Sequence, residues 1–520
     1  MKEPESRKLV VLAAIAASWL ALHVDAQTPA PPPRSGASSD NPLLDTLIQK
    51  GILTEAEARR IEAETAARQT QAVSQVPLSK WKLSDAVKTM ELFGDLRFRY
   101  EYRGVDNPPP QPPAPGSFHP DTYYRERFRY AFRIGLRGDL VDNFNYGVRV
   151  ETSNNPRSPW DTFGNNTTSG SVTPSDKNSS GIYLGQAYLG WHPADWLQMT
   201  VGRMPMPLYT TPMVWDSDIC PEGAFEKFKY SLENVDWFVD FGQFDYQDPN
   251  EASEVPSGDT FILTWQAGAN VKLGRDMSFK VAPILYTYTG IGSTNGGNAN
   301  GLNIPYVGQG ALGFNVNYPG GNAYNQNGIN DLSVLEIPAE FDFKIRETPL
   351  GKLQARLFGD FAYNLDGADR ARAAYKAGTA FGGQAFPGMT GPETSQVKAY
   401  QVGIGIGSDG LVYGPAQGLV YNSTSLKNTW ELRFYWQHVE QYALDVNLLD
   451  SDFFEGRANL QGFYSAFAYS VTDDIIGTVR FGYANQIKDN LGTGGNNLDI
   501  PNINPIKNYH LVQLDLTWRF

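Results

Sequence analysis

Residues 94–103 read GDLRFRYEYR and residues 124–140 read YRERFRYAFRIGLRGDL. Both stretches alternate with a period of two. In the first, Leu96, Phe98, Tyr100 and Tyr102 share one face, and Asp95, Arg97, Arg99, Glu101 and Arg103 share the other. In the second, Phe128, Tyr130, Phe132, Ile134, Leu136 and Leu140 lie opposite Arg125, Arg127, Arg129, Arg133, Arg137 and Asp139. Successive side chains of a strand point to opposite sides of a sheet, so each segment has one greasy and one ionised face. A half-buried soluble strand also alternates, but it usually runs only about five or six residues. The stretch from Tyr124 to Leu140 is far longer, and similar two-faced segments recur as far as Phe520. That pattern predicts an all-β transmembrane antiparallel barrel with a wet interior.

Composition agrees. Phe (28), Tyr (27), Trp (11) and Gly (51) are abundant, charged residues make up 19% of the chain, and the mean hydropathy is −0.38. Beyond the N-terminus no apolar run approaches the roughly 18 residues of a spanning helix. A membrane would therefore be crossed by strands. The net charge of −13 argues against nucleic acid as a partner. Cys220 is the one cysteine, which rules out an intramolecular disulfide and a paired-cysteine metal motif.

Residues 1–26 read as a secretory signal peptide, with a charged start, an apolar core from Leu9 to Leu22, and Val24 and Ala26 at the cleavage positions. Residues 27–41 are Pro-rich and read as a disordered linker. Residues 42–80 carry a short helical stripe (Leu43, Leu44, Leu47, Ile48), a break at Gly51, and a Thr54–Glu57 capping box that opens a second helix. This predicts a short periplasmic helical hairpin, either a self-associating module or a spacer. Residues 81–520 form the barrel.

About sixteen two-faced segments follow. Long inserts rich in Gly, Asn, Pro and Ser, such as 104–123, 154–179 and 289–331, alternate with tight turns such as Val141–Asp142 and Gly274–Arg275. Long loops on one side and short turns on the other, with an even strand count, place both termini in the periplasm. The alternation fails once, at residues 409–426, where a short turn is expected. Either that turn is enlarged or the count is off by a pair. Glu126 lies on the apolar face, but near the rim, where a charge costs about 0–1 kcal/mol. At the other end Val512, Leu514, Leu516, Trp518 and Phe520 share a face.

Three motifs carry a family resemblance. The strand from Tyr509 to Phe520 resembles the C-terminal signal, with Trp518 and Phe520, that outer-membrane proteins present to the barrel-assembly machinery. The run Gly202-Arg203-Met204-Pro205-Met206-Pro207, with Trp215-Asp216-Ser217-Asp218 and Pro221-Glu222-Gly223, resembles a segment of the bacterial family labelled putative porins. Leu43-Leu44-Asp45 through Lys50-Gly51-Ile52-Leu53-Thr54-Glu55 resembles an N-terminal stretch of several porin families. The resemblance implies an outer-membrane diffusion channel, a homotrimer surrounded by lipid and lipopolysaccharide, with no cofactor. It also implies that the third long loop, residues 204–223 with Asp216, Asp218 and Glu222, folds inward and narrows the pore.

The ionised faces supply the candidate site. Arg97, Arg99, Arg103, Arg125, Arg127, Arg129, Arg133, Arg137 and Arg149 would form a basic wall that biases passage of small polar or anionic solutes. The same arginines could instead pair with Asp95, Glu101, Asp139 and Glu151 to hold the strands in register, and the two roles are compatible. An anion-specific ladder is a subtype of the channel reading, opposed by the acidic loop. A calcium site around Gly296–Gly301 is weaker, because that composition usually marks plain loop; no metal is expected. An outer-membrane hydrolase would need converging catalytic groups, and His119, His192, His438 and His510 do not converge. An adhesin whose long loops bind a partner is the remaining alternative.

Overall fold

The computed structural model describes residues 84–106, 122–153, 158–164, 181–247, 260–289, 331–346, 348–380, 390–408, 427–493 and 506–520, together with residues 50, 54 and 57 and two short strands at 314–315 and 323–324. The chain divides into two units, Met1–Val87 and Lys88–Phe520. In the first, the Thr54–Glu57 capping box is formed: the Thr54 N–H donates to Glu57 Oε2 (2.9 Å) and the Glu57 N–H donates to Thr54 Oγ1 (3.3 Å). The signal peptide, the linker and the rest of the helical hairpin lie outside the described residues.

The second unit is built from β1 (Glu91–Asp106), β2 (Thr122–Asp139), β3 (Phe144–Thr152), β4 (Ile182–Ala194), β5 (Leu197–Arg203), β6 (Glu222–Ser231), β7 (Val235–Gln247) and β8 (Thr260–Lys272). It continues through β9 (Met277–Val281 and Ile284–Thr289), β10 (Ser333–Glu336 and Ala339–Ile345), β11 (Leu353–Asn364), β12 (Lys398–Ser408), β13 (Trp430–Val439), β14 (Leu460–Ser470), β15 (Ile475–Gln486) and β16 (Asn508–Arg519). Each strand pairs antiparallel with the next, and β16 pairs with β1 from Asp95↔Arg519 to Asp106↔Asn508. The result is a closed barrel of sixteen strands. Closure removes the free edges that an open sheet would leave unpaired. The breaks in β9 and β10 fall at Pro283 and Pro338, residues that cannot donate to a ladder, and the Ala282 N–H donates to Pro338 O (3.1 Å).

The outward face is the greasy one. Phe98 is 42% exposed, Phe128 59% and Leu516 49%, whereas Arg97, Arg99 and Glu101 on the same strand as Phe98 are at most 5% exposed. Glu126 is exposed on the outer side of β2, a few residues from the end of the strand that faces a long connection. The seam between β1 and β16 is extended by Gly94 and Phe520, which exchange N–H···O bonds of 2.9 and 3.1 Å. The irregular connection resolves in favour of the count. β12 and β13 are direct antiparallel partners (Gly407↔Glu431), so the connection that includes residues 409–426 is an enlarged turn and no strand pair is missing. Residues 409–426 themselves lie outside the described residues.

Candidate functional site

The inner faces of β1 and β2 set guanidiniums directly across from one another, Arg99↔Arg129 and Arg103↔Arg125. Like charges at opposed positions repel, so carboxylates must be interleaved. They are. Glu101, opposite Arg127, receives Arg127 Nε at 2.6 Å and Arg103 Nη2 at 3.0 Å, with Arg129 at 3.8 Å. Asp95 accepts from Arg97 (2.7 Å) and Arg133 (2.9 Å). Asp515 of β16 accepts from Arg99 (2.8 Å) and from Arg480 of β15. Arg149 pairs with Glu151 at 2.8 Å, and Arg137 with Glu91 at 2.6 Å. The indole of Trp160 lies among three of these cations, with Arg99 4.0 Å, Arg97 5.7 Å and Arg129 5.8 Å from a ring centroid.

The inward-facing arginines are therefore mostly covered. Arg97, Arg99, Arg103, Arg127, Arg129 and Arg133 are buried, Arg125 and Arg149 are half-buried, and the Arg137 side chain keeps a third of its surface exposed. Asp139, offered as one of the pairing partners, instead accepts from Thr89 Oγ1 at 3.0 Å.

Two connections cover the wall. The segment between β5 and β6 runs into the barrel: the Tyr209 N–H donates to Gln266 on β8 (2.9 Å), Thr210 Oγ1 donates to Glu336 on β10 (2.8 Å), and Thr211 Oγ1 donates to Asp360 on β11. Met204, Leu208, Met213 and Trp215 are buried there. The segment between β13 and β14 also turns inward. Tyr288 Oη donates to Asp445 (3.0 Å), Asp452 receives Arg99 at 2.5 Å, and Phe453 and Phe454 are almost fully buried.

The two segments meet through a shared tripeptide, Asp216-Ser217-Asp218 and Asp450-Ser451-Asp452. In each, the second Asp N–H donates to the first Asp Oδ1 at 2.9 Å, closing an Asx turn. The turns are tied by Asp216 N–H to Leu448 O (2.6 Å), Asp450 N–H to Pro212 O (3.1 Å) and Ser451 N–H to Asp216 Oδ2 (3.1 Å).

Four carboxylates in so small a space titrate apart. Burial, with Asp450 and Asp218 nearby, holds Asp216 well above the usual range. Burial and the Asp452 charge push Asp450 up to about 7. Burial also raises Asp218, outweighing its partner Arg133 at 3.2 Å. Burial acts in the same sense on Asp452, but there the charges of Arg99, Arg480 and Arg103 outweigh it and hold the group far below its usual value.

Of the three acidic residues expected on the inward loop, Asp216 and Asp218 are on it. Glu222 is not: it opens β6, opposite Arg203 in the ladder, and pairs with that arginine at 3.1 Å with its side chain more than half exposed. The reason is register, since Gly202↔Gly223 and Arg203↔Glu222 already belong to the sheet. Trp518 and Phe520 both stand outward. Of the histidines, His438 stacks on Tyr400 (4.7 Å) and His510 lies 5.1 Å from the Tyr483 ring centroid, while His192 lies in β4. His119 lies outside the described residues, as does Gly296–Gly301.

The sequence reading missed the 440–459 segment and Trp160. The segment had a readable signal: Leu448-Leu449-Asp450-Ser451-Asp452-Phe453-Phe454 is apolar where the other long inserts are Gly- and Asn-rich, and it repeats the Asp-Ser-Asp of the 204–223 motif.

Among solved structures, a mutant of Rh. blastica porin matches with 10% identity and a TM-score of 0.36, covering 83% of this chain and 100% of that one. A triple mutant of Rhodopseudomonas blastica porin gives 11% and 0.35 over the same shares. A chain described as "Asymmetric conductivity of engineered proteins" gives 9% and 0.35, again over those shares. The barrel assignment rests on the closed register of its own strands rather than on these likenesses. No curated protein matches the sequence. Residues 111–305, which include β2 to β9 and the whole of the 202–223 motif, match the family described as "Putative porin", the family that this motif resembles.

Proposed function

We propose that the chain is an outer-membrane porin, a passive diffusion channel for small polar or anionic solutes. The observation that carries this reading is the closed sixteen-stranded barrel with an apolar exterior and ionised side chains turned inward. An exterior of that kind suits lipid, and a charged interior would be wasted unless water reached part of it. Transport then needs no covalent step: a solute sheds part of its hydration, passes charged groups and leaves because binding there is weak.

In this reading the nine arginines divide the work. The buried ones anchor the two inward segments, which narrow the passage, and Arg125, Arg137 and Arg149 present charge where it is less covered. Trp518 and Phe520 serve as the assembly signal, export depends on cleavage after residue 26, and the barrels associate as trimers in lipopolysaccharide-containing membrane.

The test is single-channel recording in planar bilayers, with reversal potentials in a salt gradient. Discrete steps are expected. The Arg127→Ala, Arg129→Ala double variant should change ion preference little, because both groups are covered. An absence of steps from correctly folded protein would overturn the channel reading and favour the adhesin.

A further inference from the structure

Ladder partners point to the same side of a sheet, so register fixes what the outer wall carries along β5, β6 and β7. Val201, Phe228 and Val239 are 42, 38 and 40% exposed on that side, in the rungs Val201↔Ala224 and Phe228↔Val239. Met199↔Glu226, Glu226↔Phe241 and Ala224↔Gln243 fall in the same alternation. Glu226 and Gln243 therefore stand on the outer wall, with Ala224 beside both. The inner side of these strands is fixed independently: Lys227 pairs with Asp240 (3.0 Å), and Phe225 and Phe244 are buried in one cluster with Trp215 of the inward segment.

Neither polar group is satisfied. Glu226 Oε2 and Gln243 Oε1 are buried without a hydrogen-bond partner, and among the described residues no cation pairs with Glu226. Glu226 lies in the middle of β6, between Glu222 and Ser231 at its ends, where an ionised group facing lipid costs most. Other parts of the outer wall differ. On β12 and β13, Tyr400, Val402 and Ile404 stand beside Leu432, Phe434 and Trp436 in an uncharged row.

The wall is also low at this place. β5 has seven residues, the fewest of the sixteen strands, and at a tilt of about 45° it rises about 16 Å. The apolar band of an outer-membrane barrel is about 25 Å tall. Above the Arg203↔Glu222 rung, closed by its 3.1 Å ion pair, the chain leaves the wall for the interior. Lipid against this stretch would meet a low rim with an unpaired carboxyl and an unpaired amide beneath it.

We propose that the outer wall formed by β5, β6 and β7 is the surface through which one barrel docks on a second copy of itself. Acyl chains offer neither a donor to Glu226 nor a partner to the Gln243 amide. A second copy offers both, because the surface is self-complementary: brought face to face, two such walls give each carboxyl an amide and each amide a carboxyl. Ala224, with only a methyl group, lets the walls approach closely. The inference rests on the channel reading, in which the barrels associate, and deepens it by naming the wall that does so.

The mass of the folded full-length barrel in detergent is measured by light scattering over a dilution series, and folding of each variant is checked by its heat-modifiable mobility. Wild type is expected to be oligomeric. Ala224→Trp sets a bulky ring in the middle of the wall and should give folded monomer. Val479→Trp, at a position 48% exposed on the outer face of β15, should keep the wild-type mass. Glu226→Leu should weaken association about tenfold or more, because it leaves the facing amide unmatched, whereas Glu226→Gln should associate within about threefold of wild type.

Folded wild-type protein that is monomeric would overturn the proposal, and so would Ala224→Trp with the wild-type mass. Glu226→Leu that associates as wild type does, and resists heat better, would also overturn it, since that is the behaviour of a wall that faces lipid. The leucine variant keeps the test decisive where Ala224→Trp does not fold, because leucine suits an outer wall in either setting. Mass is read without current. A barrel that associates through this wall but never conducts refutes the channel alone, and one that conducts as a monomer refutes this contact alone.

Discussion

Substituting Asp452 by Ala removes the carboxylate that ties the β13–β14 segment to the barrel wall. Its oxygens receive Arg99 at 2.5 Å and Gln513 Nε2 at 3.1 Å, with Arg103 at 3.8 Å. Losing one partner of a buried ion pair costs about 3–5 kcal/mol, and the Asp452 side chain is 28% exposed, so the lower end applies. Against this stands apolar burial. Leu448, Leu449, Phe453 and Phe454 are all buried, and each contributes about 1.5–3 kcal/mol. The apolar anchors win, so the segment stays seated. Its local opening nevertheless becomes easier by about 3 kcal/mol, which is roughly a 100-fold larger open population at 1.4 kcal/mol per factor of ten.

The chain carries its own reporter. Cys220, the one cysteine, is 8% exposed at the end of the β5–β6 segment, which three hydrogen bonds tie to the β13–β14 segment. Burial also raises the thiol's pKa and slows its reaction further. Maleimide labelling of folded Asp452→Ala protein should run up to about 100-fold faster than wild type, with Asp452→Asn in between because the amide oxygen can still accept from Arg99. A rate within twofold of wild type, with full reaction after denaturation, would refute the idea that this ion pair locks the two segments together.

Other expectations concern pH, packing and closure. Asp450 is raised from 3.8 to about 7, so the folded state favours its protonated form. Its contribution is complete below 3.8 and is lost as pH rises through 7; Asp452, shifted the other way, stays ionised across that window. Single-channel flicker should therefore be lower at pH 5 than at pH 8, and Asp450→Asn should shrink the difference, leaving the share carried by Asp216 and Asp218, which burial also raises; an equal pH response in the variant would assign it elsewhere. Trp160→Ala empties a buried site among three guanidiniums and should destabilise by about 3–5 kcal/mol. This would be read as a lower temperature of heat-modified mobility, with Trp160→Phe milder. Gly94→Val would place Cβ 2.3 Å from the Arg133 carbonyl oxygen and 2.7 Å from the Phe520 ring, and should collapse the yield of closed barrel. Gly477→Val, where nothing lies within 4 Å of the added Cβ, is the matched control and should fold normally.

Much of this architecture is legible in the order of residues. Period two in Phe98-Arg99-Tyr100-Glu101 separates the two faces without reference to any distant part of the chain, and loop composition gives the count. What the sequence could not show is which inward charges meet water. Arg99 and Arg137 look alike on paper, yet the first is covered by Asp452 and Trp160 and the second stays partly open. That difference comes from long-range placement: Asp452 lies 353 positions from Arg99. Nor could it show that Glu226 and Gln243 stand unpaired on one outer wall, because the register of two strands must first set them there.

The seam between β1 and β16 has a consequence for biogenesis. Its contacts join residues 416 positions apart, as in Arg99 to Asp515, so most of the chain must be made before the first strand finds its second neighbour. Until then two long ladders of N–H and C=O groups stand open, each a template for a foreign strand, and pairing over such separations is slow. The interval between emergence of Glu91 and docking of Asn508–Arg519 is when the chain is most exposed to aggregation. A holdase that shields it should therefore matter most for full-length chains in which a seam substitution delays closure.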